Sequence, residues 1–450
     1  MESRSLARTN GYFIICGSED VLGLAERLAN FMSYRKRLGI RFFEGSSFTN
    51  VLIHKTAKKV MCFFPLLNTE DSTSLLHGKV FNLTENYYKI LKMKKLVAEE
   101  GVEGVSVDID GDFSMAFFSD DYIFALRSPI SSKPLFFAES GNNFLLSSDP
   151  YAMNSVGIQY NYVPSGSFLY FRLGERRKLL VQNYYSPSKV ESFSELDQAV
   201  DAVKFALMYS IEKNLEGVRN AALSFSGGLD SAILARLAME HSNLTLITAS
   251  VGRSHDLIRA KEVATLFPLE HIIIDINGNM LAKRFASLKT VFGKENVMNM
   301  SIAILFNLVA EEASNLGLGD LVVGQGADEL FGGYRRYVEV VNKDESMLGS
   351  ALRNDFHDLH SKIISRDETA ISMFADPIMP YLNRKIAEVA SRIPPKFKVE
   401  RVSGNRKVVL RAVAENLGLP EDVFHYPKKA MQYSSGVQKS LLKTIMKTDL

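Results

Sequence analysis

The sequence predicts two domains: an N-terminal α+β half, a β-sandwich flanked by helices, and a C-terminal α/β half, a doubly wound parallel sheet with a helical C-terminal extension. Three observations carry this. From residue 11 to about 185, short β-branched and aromatic runs recur between turn residues, as short strands do. From Leu196 onward, continuous apolar runs alternate with helical patterns, the mark of strands buried on both faces of a parallel sheet. Between them, Ser186 to Glu195 is rich in Ser, Pro and charge, as a linker is. The expected divisions are 1–187, a linker at 188–197, and 198–450.

In the N-terminal half the strands are Tyr12 to Cys16, Val51 to His54, Val60 to Phe64, Phe113 to Phe118, Tyr122 to Leu126, Leu135 to Ala138, Asn143 to Ser147 and Phe168 to Phe171. Turn residues bound them at Ser119 to Asp121, Glu139 to Asn142 and Pro164 to Gly166. Apolar residues at helical spacing mark Val21 to Ser33 and Asn86 to Glu100.

The C-terminal half opens with a helix from Leu196 to about Leu215. The strand Ala221 to Phe225, the turn Ser226-Gly227-Gly228-Leu229-Asp230-Ser231 and a helix through Ala232 to Ala238 follow. Further buried strands are Leu244 to Ser250, His271 to Ile276 and Leu321 to Val323, separated by helices at Ile258 to Phe267 and Ile302 to Leu316. Ligands in such sheets bind at the carboxyl ends of the strands.

Composition narrows the function. A net charge of +2 gives no electrostatic case for nucleic acid or membrane partners. No apolar run approaches the roughly 20 residues of a membrane span. The first ten residues lack a signal-peptide core, and two cysteines, Cys16 and Cys62, make neither a disulfide framework nor a zinc pattern. A cytoplasmic protein is expected.

Strand, glycine turn and helix in that order make an anion site. Gly227 and Gly228 allow a tight turn and close approach. The first amides of the helix lack intrahelical acceptors, and the helix dipole adds positive charge there, so phosphate is the natural guest. Ser226 and Ser231 add hydroxyl donors. Asp230 would repel a bare phosphate, so it calls for a cation between them, Mg2+ being the one that prefers oxygen ligands. The Lys-Ser/Thr ending of a Walker A loop is missing. A second loop, Gly324-Gln325-Gly326-Ala327-Asp328-Glu329-Leu330-Phe331-Gly332-Gly333-Tyr334, follows the Leu321 to Val323 strand. Its glycines permit close approach, and Asp328 and Glu329 supply carboxylates for a cation. His357 and His360, three residues apart on one helix face, invite a metal reading with Asp358, but a solvated or packed pair is the ordinary reading, since zinc needs three or four convergent ligands.

The Ser226 to Ser231 stretch resembles the pyrophosphate loop (SGGxDS) of the ATP pyrophosphatase superfamily. The Gly324 to Tyr334 loop resembles the "GxGADELFGGY" signature of asparagine synthetases. Further similarities are Ser250-Val251-Gly252 with Asp256 and Ala260, Ser301-Ile302-Ala303, Lys407-Val408-Val409-Leu410-Arg411, Leu419-Pro420, and Pro427 to Gly436, which is similar to the archaeal "KKAxQYxSG". The resemblance covers about residues 196 to 440. It implies an adenine nucleotide alpha hydrolase-like sheet and an AMP-forming synthetase using ATP and Mg2+. A small carboxylate such as aspartate would be activated as an acyl-adenylate and attacked by ammonia or another amine.

By the same resemblance, Ser224, Ser226, Gly227, Gly228, Leu229, Ser231, Gly324 and Gly326 would line the nucleotide, with Leu223, Ser250 and Val251 against the adenosine. Asp230 and Asp328 would hold Mg2+. Lys429 would face the charge at the reacting centre, with Lys428 one residue away as the alternative. Gln325 stands where the synthetases usually have Glu and the β-lactam-forming relatives have Tyr. Glutamine is no base, but it can donate and accept hydrogen bonds. Asp376-Pro377-Ile378-Met379-Pro380-Tyr381-Leu382-Asn383 departs from "E-x-R-x-P-F-L-D", losing the Arg at Ile378, which weakens the case for aspartate. Arg366-Asp367 upstream is retained.

Residues 11 to 187 resemble a class II glutamine amidotransferase (Ntn-hydrolase-like) domain, through Gly111-Asp112-Phe113-Ser114-Met115-Ala116-Phe117, Lys133 to Phe137, Ser147-Ser148-Asp149, Pro164-Ser165-Gly166 and Tyr184-Tyr185. The chemistry departs. That family uses a cysteine at the extreme N-terminus, where residue 2 here is Glu. Its Asn-Gly aligns with His77-Gly78 and its His-Arg-Gly with Tyr34-Arg35-Lys36. The expectation is a domain that does not hydrolyse glutamine; processing that exposes Cys16 is the rival. Three alternatives for the whole chain stay open: a non-catalytic nucleotide-binding homologue, a β-lactam-synthetase-like ligase with another amine, and a tRNA-modifying relative. The near-zero charge and the acidic loop disfavour the last. A homodimer is one outcome for the oligomeric state.

Overall fold

The computed structural model describes residues 12–16, 24, 27–28, 38–44, 49–55 and 73–448, with gaps at 119–120, 142, 173–177, 186–189, 360–362 and 427–434. The chain divides into two compact units, Met1–Ser188 and Lys189–Leu450.

The first unit is built on strands β1 (Tyr12–Cys16), β2 (Leu38–Glu44), β3 (Thr49–Lys55), β4 (Thr73–Val80), β5 (Gly111–Phe118), β6 (Tyr122–Arg127), β7 (Phe136–Ser140), β8 (Asn143–Ser147), β9 (Asn161–Tyr162), β10 (Ser167–Arg172) and β11 (Lys178–Asn183). They form two antiparallel sheets, β2-β3-β1-β8-β7-β9 and β11-β10-β6-β5-β4. Alternation along each strand divides the side chains. Ala116, Ile123, Ala125, Leu169 and Phe171 of one sheet meet Phe137, Phe144 and Leu146 of the other in a shared core. The rings of Phe144 and Phe171 stack there with centroids 3.9 Å apart. Their neighbours point outward. Met115, Phe117 and Phe124 bury against Ile90 and Met93, on helix α1 (Leu83–Lys94). Phe136, Ala138 and Leu145 bury against Ala152 and Met153, on helix α2 (Pro150–Ser155). The result is helix, sheet, sheet, helix.

Arg127 pins the end of β6. Its guanidinium donates to the carbonyls of Lys133 at 3.0 Å, Val163 at 2.8 Å and Ser131 at 3.3 Å. Strands β2, β4, β9 and β11 were not foreseen. β4 is polar and carries Gly78 at φ 101°, so its pairing with β5, not its own propensity, makes it a strand. The run Val60 to Phe64, Tyr34-Arg35-Lys36 and most of Val21 to Ser33 lie outside the described residues. Of the last, Leu24 and Leu28 are helical and buried. The Asn86 to Glu100 pattern is α1 continued by a wider π turn, Lys95–Glu99.

The second unit carries β12 (Asn220–Ser224), β13 (Asn243–Ser250), β14 (Glu270–Asp275), β15 (Asp320–Val322) and β16 (Asp376–Ile378). All pair in parallel, in the order β14-β13-β12-β15-β16. Its helices include α3 (Leu196–Leu215), α4 (Leu229–Ala238), α5 (His255–Ala264), α6 (Gly278–Phe292), α7 (Val297–Asn315), α8 (Ala327–Phe331), α9 (Arg336–Lys343), α10 (Leu348–Asp358), α11 (Ile364–Ser372), α12 (Arg384–Ser391), α13 (Val408–Asn416), α14 (Glu421–Phe424) and α15 (Val437–Thr448). Ala221, Leu223, Leu244 and Leu246 face one core with α3, α4 and α13. The alternate residues Ala222, Ile247 and Leu321 are also fully buried, on the side where α7 crosses β12, β13 and β15. Helices therefore cover both faces. The strand β16 was read only as a motif. It is three residues long with Pro377 at its centre, which an edge strand tolerates.

Chain order runs outward from β12 through β13 to β14, then restarts beside β12 at β15 and continues to β16. That reversal is the switch point where doubly wound sheets open a crevice.

Candidate active site

The loops that leave β12 and β15 flank this crevice, because Ala222 pairs with Leu321 and Leu223 with Val322. The first loop begins after Phe225, whose N–H donates to the carbonyl of Ile247 at 2.9 Å. Gly227 has φ 68°, and a Cβ there would stand 2.7 Å from the backbone of Arg259 and Ala260 on α5. Both its conformation and its space exclude a side chain. Gly228, the N-cap of α4, has no side chain to accept from the first-turn amides. Ser226 and Ser231 close the loop on itself, their hydroxyls 3.3 Å apart. Ser226 Oγ accepts from Gly228 N at 3.3 Å, and Ser231 Oγ donates to Gly228 O at 3.1 Å. What faces outward is a set of amides at a helix start, flanked by two hydroxyls.

Behind the loop, Thr248 Oγ donates to Phe225 O at 2.6 Å and touches His271 Nε2 at 2.8 Å. The hydroxyl has one proton and spends it on Phe225, so His271 Nε2 carries the hydrogen of the second bond. Burial, helped by Lys261, lowers the His271 pKa and keeps the ring neutral.

The second loop brings Asp328 to the same place. Lys407 Nζ lies 2.6 Å from both carboxylate oxygens of Asp230 and 2.6 Å from Oδ1 of Asp328. The two carboxylates are thus no further apart than one ammonium can bridge. Gly333 makes this possible: a Cβ there would stand 1.7 Å from Asp328 Oδ1 and 2.3 Å from Lys407 Cε. Lys407 itself is 3% exposed, with its backbone at φ 57°. Tyr381 donates to the Asp230 carbonyl at 3.2 Å. Glu329, beside Asp328, is buried and accepts from Tyr334 at 2.5 Å. Burial, then repulsion from Asp328, pushes its pKa up to about 7. Glu329 is therefore tied back by Tyr334, and Asp328 is the carboxylate of the pair that meets Lys407.

Gln325 donates its amide N–H to Asp367, and Arg366 donates to the other oxygen of Asp367 at 2.7 and 2.6 Å. Burial raises the Asp367 pKa; Arg366 pulls it back. Gly326 has φ 97°, with Leu382 filling the space of a side chain. Gly324 stands over Asp230, where a Cβ would be 3.6 Å from that residue's Cβ. Ser250 Oγ bonds Ser254 Oγ, the N-cap of α5, at 2.6 Å, and Val251 N donates to Ser435 O at 3.0 Å. Leu223 is fully buried in the core with α3 and α4, so its side chain backs the site and offers no surface to a ligand. Ser224 ends β12, half-buried. Lys428 and Lys429 lie outside the described residues, as does His360. His357 is exposed and 4.0 Å from Asp358.

Among the described residues no three His, Cys, Asp or Glu side chains converge on a metal position. Two carboxylates with a cation already between them are the donor set that a hard ion completes with water and phosphate oxygens. Sequence reading had placed Lys407 only as the first residue of a "K-x-x-LR" motif. That motif was the signal; the cleft it points into was not.

A helix start with open amides and a pair of carboxylates meeting across a switch point define a doubly wound α/β protein with its polar groups gathered at the carboxyl ends of its strands. The asparagine synthase family model matches residues 202–361 and 339–449, together more than half of the chain, and the chain belongs to that family. A protein of Methanocaldococcus jannaschii, provisionally named a glutamine-hydrolyzing asparagine synthetase, is 26% identical over 407 residues, 78% of this chain and 73% of its own length. Asparagine synthetase B of Escherichia coli is 25% identical over 78% of this chain and 65% of its own length. An asparagine synthetase domain-containing protein of Saccharomyces cerevisiae is 22% identical over 82% and 80%. No helix among the described residues is long and apolar enough to cross a membrane.

Proposed function

We propose that this chain is an ATP-dependent carbon–nitrogen ligase that activates a small carboxylate as an acyl-adenylate, releases pyrophosphate and transfers the acyl group to ammonia or another amine. The observation that carries the reading is the meeting of Asp230 and Asp328, from loops on adjacent strands, beside the start of α4. The amides of Leu229 and Asp230, with the Ser226 and Ser231 hydroxyls, would hold the β- and γ-phosphates. Asp230 and Asp328 would hold Mg2+, which neutralises charge on the departing pyrophosphate. Gly227, Gly228, Gly324 and Gly326 let the backbone come close to the nucleotide. Ser224, Ser250 and Val251 line its adenosine end. Lys407 lies within reach of the same phosphates, and Lys429 or Lys428 would meet the charge on the reacting centre.

Gln325 bears on the nucleophile. Its amide nitrogen donates to Asp367, and its oxygen can only accept. An acceptor without a proton-taking carboxylate suits an amine that arrives neutral, such as ammonia. Aspartate is the family's acid, while Ile378 is buried in the core and offers no charge to a second carboxylate. The first unit, with its helix–sheet–sheet–helix layering, suits a glutaminase-like domain of the Ntn-hydrolase type without its chemistry, since His77-Gly78 replaces the oxyanion-holding Asn-Gly.

The test is pyrophosphate release from MgATP across carboxylic acids, with ammonia or glutamine as nitrogen donor. Release with ammonia but not glutamine is expected, lost in Asp230→Asn. Absence of release with every acid would leave a nucleotide-binding homologue.

A further inference from the structure

Lys407 occupies the oxygens assigned above to the divalent cation. Its ammonium is 2.6 Å from three of them. The side chain is fixed there by more than attraction. It starts from a left-handed backbone at φ 57°, its carbonyl accepts from Arg411 N at 2.9 Å, and its Cε passes through space that any side chain on Gly333 would fill. Mg2+ requires oxygens at about 2.0–2.1 Å in octahedral array. An ammonium bonded to the same oxygens fills that volume and repels the ion. Without either cation, two carboxylates would face each other in a partly buried cleft, which raises the energy of both. The protein therefore carries its own counter-ion.

We propose that Lys407 keeps the metal position closed in the nucleotide-free protein, and that the polyphosphate opens it by drawing the ammonium away from Asp230. This rests on the site reading given under Proposed function. The loop whose amides would take phosphate ends at Asp230 itself, so an anion bound there offers Lys407 a second partner beside the first. Metal and nucleotide then enter as a unit, and free divalent cation alone does not load the site. By linkage, each tightens the other by the same factor.

Mn2+ serves as the probe, with its paramagnetic resonance signal separating free from bound ion on the full chain. Without nucleotide, wild type is expected to bind no Mn2+ that Asp230→Asn removes. Lys407→Gln is expected to bind one Mn2+ at least about tenfold more tightly than wild type, within the range of coupled sites. Mn2+ alone should also raise its melting temperature, and Lys407→Arg should behave as wild type. Nucleotide-free wild type that binds Mn2+ at a position lost in Asp230→Asn overturns the proposal, whether or not the Gln variant folds. So does a folded Lys407→Gln with unchanged Mn2+ affinity. Failure of the site reading looks different: Asp230→Asn and Asp328→Asn would then leave Mn2+ binding in the presence of a non-hydrolysable ATP analogue intact.

Discussion

Gly333 and Asp328 are in contact so close that a single methyl on the glycine would stand 1.7 Å from the carboxylate oxygen. The same methyl would stand 2.3 Å from Lys407 Cε, so neither side chain can keep its place. The Gly333 N–H donates to the Asp328 carbonyl at 2.8 Å and its own carbonyl accepts from Arg406 at 2.7 Å, which holds the backbone still. Gly333→Ala is expected to cut pyrophosphate release about a hundredfold, the usual cost of a misplacement near 1 Å. Gly319→Ala, where nothing lies within 4 Å of the added Cβ, is the control and should leave the rate unchanged. Equal rates in the two variants would remove Asp328 from the reacting site.

Why this contact was invisible beforehand follows from distance along the chain. Asp230 and Lys407 are 177 residues apart: the strand order β12 beside β15 brings Asp230 to Asp328, and the packing of α13 on α4 delivers Lys407 to both. The local parts were legible. The helix Leu196–Leu215 was read from spacing alone, and the apolar runs at Ala221, Leu244, His271 and Leu321 all became strands; residues buried on both faces need no alternation, but the run at His271 was expected buried and is instead the edge strand β14, partly exposed along its length. The edge strand Asp376–Ile378 was not, since three residues around a proline carry no periodic signal. Leu223 was expected at the ligand, but its position in the strand points its side chain into the core; alternation decides this, and motif reading ignores it.

Thr248 links an edge strand to the phosphate loop. Thr248→Val would leave the Phe225 carbonyl without its hydroxyl donor and the His271 N–H without its acceptor. A loss of about 1–3 kcal/mol in chemical denaturation is expected, the usual cost of stranded buried polar groups. Thr248→Ser keeps both bonds and should recover most of it. A Val variant as stable as wild type would mean that the hydroxyl relay contributes nothing to stability.

Asp367 is fully buried between Arg366 and Gln325. Asp367→Asn leaves the Arg366 guanidinium, 3% exposed, without its charge partner. A loss of about 3–5 kcal/mol is expected, as for other broken buried pairs. Gln325→Ala removes only a neutral partner and should cost far less stability, while raising the ammonia concentration needed for half-maximal rate. A Gln325→Ala enzyme with unchanged ammonia dependence would separate this residue from the nucleophile.

Lys398 makes stability depend on pH in a direction opposite to most lysines. It is 7% exposed, and burial, aided by Arg353, lowers its ammonium pKa to about 7. An unfolded lysine titrates near 10.4. Between those values the unfolded chain holds the proton that the folded one has released, so unfolding takes up a proton and stability rises with pH, by roughly 1 kcal/mol per unit. Below about pH 7 both states are charged and the full penalty of the buried ammonium is present. Wild type should therefore gain about 2 kcal/mol from this group between pH 7 and pH 9. Lys398→Met, similar in volume and uncharged, should lack that gain, be the more stable protein at pH 7, and lose its advantage as pH approaches 10. Urea midpoints at pH 7, 8 and 9 for the two proteins decide it: lines that stay parallel would mean that Lys398 is charged and solvated throughout.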